Sequence, residues 1–224
     1  MQEYDRRLPL IYIHIPKSAG KSVKSIFEQW YGDGLYNNYY NERTASLPNK
    51  LDLNSLNSKT QPVVVYGHFN RNRGFGIEDY YPDVKQFVTI IRDPFETAIS
   101  TYYYIRKIQD TILDQSRIPR CDLREFLLNT PPNILNHFPR EVTRSNYQAL
   151  IDEYFIQIGV MERLQKSMEQ IRKKLGMPKI AASLPHLNST PRDQAHPEDL
   201  REVYRDKYPL EYEVYDYALA GISE

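Results

Sequence analysis

The sequence predicts an α/β protein: a P-loop-like parallel sheet flanked by helices, in a single domain spanning residues 1–224. Three observations predict it. Short apolar, β-branched runs alternate with amphipathic helical segments, and strands joined through helices require right-handed crossovers and hence a parallel sheet. The first run is followed by small and cationic residues that open a helix, which is the arrangement of an anion-binding turn. No repeat, low-complexity tract or linker divides the chain, and 224 residues with 41% hydrophobic composition leave room for one full core.

The charge count closes off several classes. With 29 basic against 29 acidic residues the chain has no net pull toward nucleic acid or an anionic membrane, so neither is an expected partner and any basic site is local. Cys121 is the one cysteine, which excludes an internal disulfide or Cys-rich zinc site and favours a reducing compartment. No apolar run approaches the roughly 18 residues of a membrane span, and the opening MQEYDRRLPL lacks the apolar core of a signal peptide, so a cytoplasmic location is expected. The five histidines are scattered without metal-ligand spacing, and no metal is expected.

Taken in order, residues 10–15 (LIYIHI) form a buried strand interrupted in polarity only by His14, and Pro16 stops its hydrogen-bond ladder. Lys17, Ser18, Ala19, Gly20, Lys21 and Ser22 follow, and residues 23–30 read as a helix with Val23, Ile26, Phe27 and Trp30 on one face. Loop N–H groups and the positive end of the helix dipole then converge, small side chains let a phosphate approach, and Lys17 and Lys21 add charge. An ordinary turn with exposed lysines has the same composition. Gly20-Lys21-Ser22 match the end of a Walker A loop, but Ile15 stands where that pattern needs its first glycine.

Residues 31–61, rich in Asn, Ser, Gly, Asp and Tyr, read as a long loop with short helical turns. Residues 62–66 form the second strand, and His68 falls at its carboxyl end, where ligands sit in an open parallel sheet. From position alone His68 is either a catalytic group or a capped structural one. In the loop 70–81, Arg71 and Arg73 either grip an anionic acceptor or are merely solvated. Residues 84–91 are the third strand; Arg92 follows, then Asp93 as the cap and Pro94 in the first turn of a helix to residue 107, with Ser100 about two turns in. Residues 109–146 are helical with proline breaks, and 129–144 read as a surface lid or acceptor-binding piece. Residues 154–160 are a fourth buried strand and 162–175 a helix ended by Gly176, and two helices, 197–205 and 209–220, close the chain. The nineteen tyrosines either pack at core edges or form a surface for sugars or aromatics.

His14-Ile15-Pro16-Lys17-Ser18-Ala19-Gly20-Lys21-Ser22 resembles the HIPKTGGTS loop of sulfotransferases that use 3′-phosphoadenosine 5′-phosphosulfate (PAPS), most closely the heparan sulfate 2-O and 6-O branch and its bacterial relatives. The segment IIRDPFETAISTYY is similar to that family's second signature, an arginine and a serine eight positions later. Two signatures in order, each at a strand-to-helix junction, with a strand ending in histidine between them, are more specific than either alone.

The resemblance implies the sulfotransferase fold and transfer of a sulfuryl group from PAPS, without a metal, to an acceptor hydroxyl, a saccharide in this branch. Lys17, Ser18, Ala19, Gly20, Lys21, Ser22 and Val23 are then the 5′-phosphosulfate site, with Lys17 also stabilising the leaving group. Arg92 and Ser100 hold the 3′-phosphate, His68 is the base, and Arg71 and Arg73 are acceptor contacts. A late loop carrying Asn188, Ser189, Thr190 and Arg192 lies over the adenosine 3′-phosphate in the family. Ser18, Ala19 and Lys21 depart from the common Thr, Gly and Thr, which leaves the loop small and adds a cation. Two alternatives stand beside this reading: a Mg-ATP-dependent P-loop kinase or other transferase, and a non-catalytic glycan- or nucleotide-binding domain.

Overall fold

The computed structural model describes residues 1–41, 44, 46–57, 61–111, 115–179 and 197–222. Its centre is a five-stranded, wholly parallel sheet: β1 (Leu10–Ile13), β2 (Leu35–Asn38), β3 (Val64–Gly67), β4 (Phe87–Ile91) and β5 (Phe155–Val160), in the order β2-β3-β1-β4-β5. Every residue of β1 is buried, as its near-continuous apolar run requires of a central parallel strand. The strand ends two residues earlier than its sequence suggests. His14 N–H still reaches Gly67 O at 2.8 Å, but Ile15 N–H turns back to Ile13 O at 3.2 Å, and Pro16 cannot donate.

Alternation along the strands divides the interior in two. Leu10, Tyr12, Val64, Tyr66, Val88 and Ile90 face one side, where α1 (Gly20–Tyr31) brings Val23, Ile26 and Phe27 and α7 (Leu164–Lys174) brings Met168 and Ile171. Ile11, Ile13, Val65 and Phe87 face the other, under α4 (Pro94–Lys107), α5 (Leu123–Asn129), α8 (Arg201–Lys207) and α9 (Pro209–Ala220). Three further helices, α2 (Leu53–Asn57), α3 (Ile77–Tyr80) and α6 (Tyr147–Tyr154), complete the set among the described residues. Asp93 caps α4 as its position requires, its carboxylate accepting from Glu96 N–H at 2.9 Å. Gly176, with φ +65°, supplies the left-handed turn after α7.

Two expectations are revised. Residues 35–38 are not loop but the edge strand β2, paired in parallel with β3. The segment 129–144 is not a surface lid: Ile134, Phe138 and Val142 are buried in the larger core, and Phe138 packs on Phe155 with ring centroids 5.0 Å apart. These apolar residues recur every four positions through proline-broken chain, a spacing that the prolines disguise.

The connection out of β1 leads toward β2 and the one out of β4 toward β5, so the chain departs in opposite directions from neighbouring strands. A crevice therefore opens at the carboxyl ends of β1 and β4, the position at which open parallel sheets bind ligands.

Candidate active site

The turn from β1 into α1 is built by two non-glycine residues in the left-handed region, Lys17 at φ 69° and Ala19 at φ 59°. Such residues are uncommon and mark a backbone shaped for a purpose. Val23 closes the first helical bond, its N–H on Ala19 O at 3.1 Å, so Gly20, Lys21 and Ser22 contribute the N–H groups for which the helix has no internal acceptor. Ser18 is buried and its Oγ has no hydrogen-bond partner among the described residues. Val23 itself turns its side chain into the core.

Lys17 lies half-buried with Nζ 4.3 Å from the ring centre of Tyr104. Its ammonium is pushed down to about 8, first by burial and then by Arg92, Lys107 and Lys21. The like charges of three other cations thus bear on Lys17. An anion placed there relieves both the repulsion and the orphaned hydroxyl, so the residues fit a phosphate or sulfate group.

Beside the loop stands a row of rings set by strand register. Asn38, Gly67 and Ile13 are aligned across β2, β3 and β1, so Tyr39, His68 and His14 are each the first residue beyond a neighbouring strand end. His14 and His68 have ring centroids 4.1 Å apart, and Tyr39 lies 4.9 Å from His68. Tyr39 OH and His14 Nδ1 are 3.0 Å apart. Burial first, then His68, His137 and Lys24, hold His14 well below the usual imidazole range, so it is neutral at physiological pH. His137, behind the row, is pushed down to about 3 by burial first and then by His68. Its Nε2 meets Asn70 Nδ2 at 3.3 Å. The loop and the row touch through Gly20: a Cβ there would sit 1.5 Å from His14 Nε2, and Tyr66 OH donates to Gly20 O at 2.8 Å. Only glycine permits this approach.

Arg92 emerges from β4 and is largely buried, paired with Glu96 at 3.2 Å and, at 3.9 Å, with Glu162. Asp93, next to it in the chain, is engaged by Arg201 at 3.3 Å. Ser100 is buried one helical turn beyond Glu96 and one before Tyr104, so 92, 96, 100 and 104 run along one stripe of the chain entering and forming α4. Arg71 is held by Glu78 at 2.5 Å, and the Arg73 guanidinium lies 5.2 Å from the Tyr40 ring centre. Asn188, Ser189, Thr190 and Arg192 lie outside the described residues.

The structure therefore brings the loop and Arg92 to one crevice and sets His68 beside the loop, and it adds residues that sequence reasoning passed over. Tyr39 was hidden because β2 was hidden; His14 is in the loop motif but reads as part of a strand; Tyr104 and Arg201 carry no local pattern. Among the described residues no group of three or more His, Cys, Asp or Glu side chains could hold a metal ion, and no helix is long and apolar enough to cross a membrane.

A model of the sulfotransferase family matches residues 4–218. No curated protein matches the chain in sequence. Solved structures similar to it include mouse sulfotransferase SULT7A1 complexed with PAP, at 17% identity and TM-score 0.48, covering 78% of this chain and 60% of that one. A sulfotransferase from Alicyclobacillus acidocaldarius is similar at 14% identity and TM-score 0.49, covering 92% of this chain and 96% of that one. The chain thus spans 60% of the length of the mouse protein's solved chain.

Proposed function

Because the chain belongs to the sulfotransferase family, whose model matches residues 4–218, we propose that it transfers the sulfuryl group of PAPS to an acceptor hydroxyl, that of a saccharide. The observation that carries this reading is the meeting, at the carboxyl ends of adjacent strands, of an anion-seeking loop, a histidine and a largely buried arginine. The buried Ser18 hydroxyl, the N–H groups opening α1 and the crowded cations Lys17 and Lys21 fit the 5′ end of the cofactor. Arg92 and Ser100 fit its 3′-phosphate, and Asn188, Ser189, Thr190 and Arg192 are proposed to complete that end.

When bound, PAPS supplies a sulfuryl group already joined to a good phosphate leaving group. His68 takes the proton of the acceptor hydroxyl, a role that contributes about 10² to 10⁴ in rate. Lys17 and the loop N–H groups hold the negative charge that gathers at the loop. Tyr39 offers an aromatic face beside His68, and Arg73 lies against the ring of the neighbouring Tyr40, a combination that suits a sugar. The resemblance of the loop to the heparan sulfate branch supports the same acceptor class, and a cytoplasmic location belongs to the same proposal.

Thermal unfolding with 3′-phosphoadenosine 5′-phosphate (PAP), ADP and Mg-ATP tests the cofactor. A ligand at a hundred times its dissociation constant stabilises by about 2.7 kcal/mol, and the expected result is a raised midpoint with PAP, without Mg²⁺, and none with Mg-ATP. The reverse pattern would turn the assignment to a kinase. His68→Ala is expected to keep the PAP shift and lose transfer from PAPS to a saccharide panel; transfer at the wild-type rate would remove His68 as the base.

A further inference from the structure

The cation assigned above to the 3′-phosphate has carboxylates for neighbours. Asp93 is needed where it is because it caps α4, and Glu96 suits the first turn of that helix because its charge complements the dipole. Both requirements are local to the helix. Both also set negative charge beside the position at which the proposed function puts a phosphate, and Glu96 Oε2 already meets Arg92 at 3.2 Å.

The compensation arrives from a distant part of the chain. Arg201, in the first turn of α8, donates to Glu96 Oε1 at 2.7 Å and to Asp93 Oδ1 at 3.3 Å, bridging separations of 105 and 108 residues. Its guanidinium is fixed from two further directions, by Glu198 at 2.8 Å and by the Phe95 ring at 4.7 Å from the centroid. A planar fork with several donors is suited to dividing itself between two carboxylates, which an ammonium is not. Glu162 takes the remaining side, accepting from Asp93 N–H at 3.1 Å.

We propose that Arg201 is a positioning residue for the anion clamp: it occupies the Glu96 and Asp93 carboxylates, so that the 3′-phosphate rather than these groups takes the Arg92 guanidinium. Without Arg201, Glu96 pairs fully with Arg92 and the Asp93 carboxylate is left uncompensated beside the incoming phosphate. The specificity for a 3′-phosphorylated nucleotide is then set as much by α8 as by the residue that touches the phosphate. This inference rests on the assignment of Arg92 to the 3′-phosphate.

The test is calorimetric titration of the full chain with PAP and with AMP, which differ by the 3′-phosphate. Arg201→Ala is expected to weaken PAP about tenfold or more and to leave AMP within twofold. Adding Glu96→Gln to that variant removes the competing charge and is expected to bring PAP back to within threefold of wild type, a rescue that a mere brace would not give. Arg201→Lys guards against a folding defect: it keeps the charge while losing the fork, and a PAP affinity between those of wild type and the alanine variant is expected. Equal weakening of both nucleotides, no weakening of either, or failure of the Glu96→Gln rescue overturns the proposal. Arg92→Ala separates the two readings. If it leaves the preference for PAP over AMP intact, the clamp assignment falls and the inference with it; if it abolishes the preference while Arg201→Ala does not, only the inference falls.

Discussion

Lys17 is a cation held where charge is disfavoured. In the free protein burial and the neighbouring Arg92, Lys107 and Lys21 push it down to about 8, far below the usual lysine value, so it sheds its proton between pH 7 and 9. An anion at the loop favours the charged form, and binding is therefore linked to retention of that proton. The phosphates of PAP are already ionised across this interval, since their second ionisation falls near pH 6. Its dissociation constant is expected to rise by up to about tenfold from pH 7 to pH 9. Lys17→Arg, which stays charged throughout, is expected to flatten the dependence; titration calorimetry at the two pH values checks both, and an identical slope in the variant would remove Lys17 as its source. The cations of the loop were legible in the sequence because a run of small residues after a strand leaves little else for them to do. Their strained geometry was not, because neither Lys17 nor Ala19 is a residue type that announces a left-handed turn.

At the scale of elements, the edge strand β2 decides more than its four residues suggest. It carries Tyr39 to the end of the sheet and so completes the row with His68 and His14. Its sequence, Leu35-Tyr36-Asn37-Asn38, has half its positions in asparagine, a residue depleted from strands, and it is paired on one side only. Local pattern therefore could not reveal it. It is paired with β3 at very close range at its end: a Cβ on Gly67 would lie 2.0 Å from Asn38 O. Gly67→Ala must push β2 away, and an overpacked contact of this kind costs about 1–3 kcal/mol. Hydrogen exchange is expected to quicken at the amides of β2 while β1 and β4 keep their protection. Uniform protection, or a loss spread evenly over the sheet, would contradict the role given to this glycine. By contrast β1, β3, β4 and β5 were readable, within a few residues at their ends, because strands buried on both faces are near-continuous apolar runs.

Over the whole molecule, the last helix braces the region behind the row of rings. The Glu211 carboxyl, on α9, accepts from Leu135 N–H at 3.4 Å at the head of the turn that carries His137. The residue is half-buried, yet its Oε2 is out of reach of water and without a partner among the described residues. Burial pushes this carboxyl up to about 8, well above the usual glutamate value near 4.5. The folded chain thus keeps a proton that the unfolded chain releases, so stability falls as pH rises from about 4.5 through 8. Glu211→Gln, neutral at every pH, is expected to match wild type near pH 4.5 and to exceed it at pH 8 by about 1–3 kcal/mol, discounting the full linkage value for relaxation of the buried site. Denaturation at the two pH values checks this, and an equal effect at both would show that shape rather than charge matters there.

What the sequence by itself determined was whatever depends on neighbours along the chain: the alternation that makes a parallel sheet, the cap at Asp93, the small cationic loop, the histidine after the second apolar run. Only the tertiary structure decided which of these meet. The order β2-β3-β1-β4-β5 sets His68 beside His14, and Arg201 reaches Glu96 across 105 residues. The physical reason is one of range. Backbone sterics, capping and hydrophobic period act over a few residues and leave their mark locally. Ion pairs and ring contacts depend on distance in space, and sequence separation tells nothing of that until the sheet has been assembled.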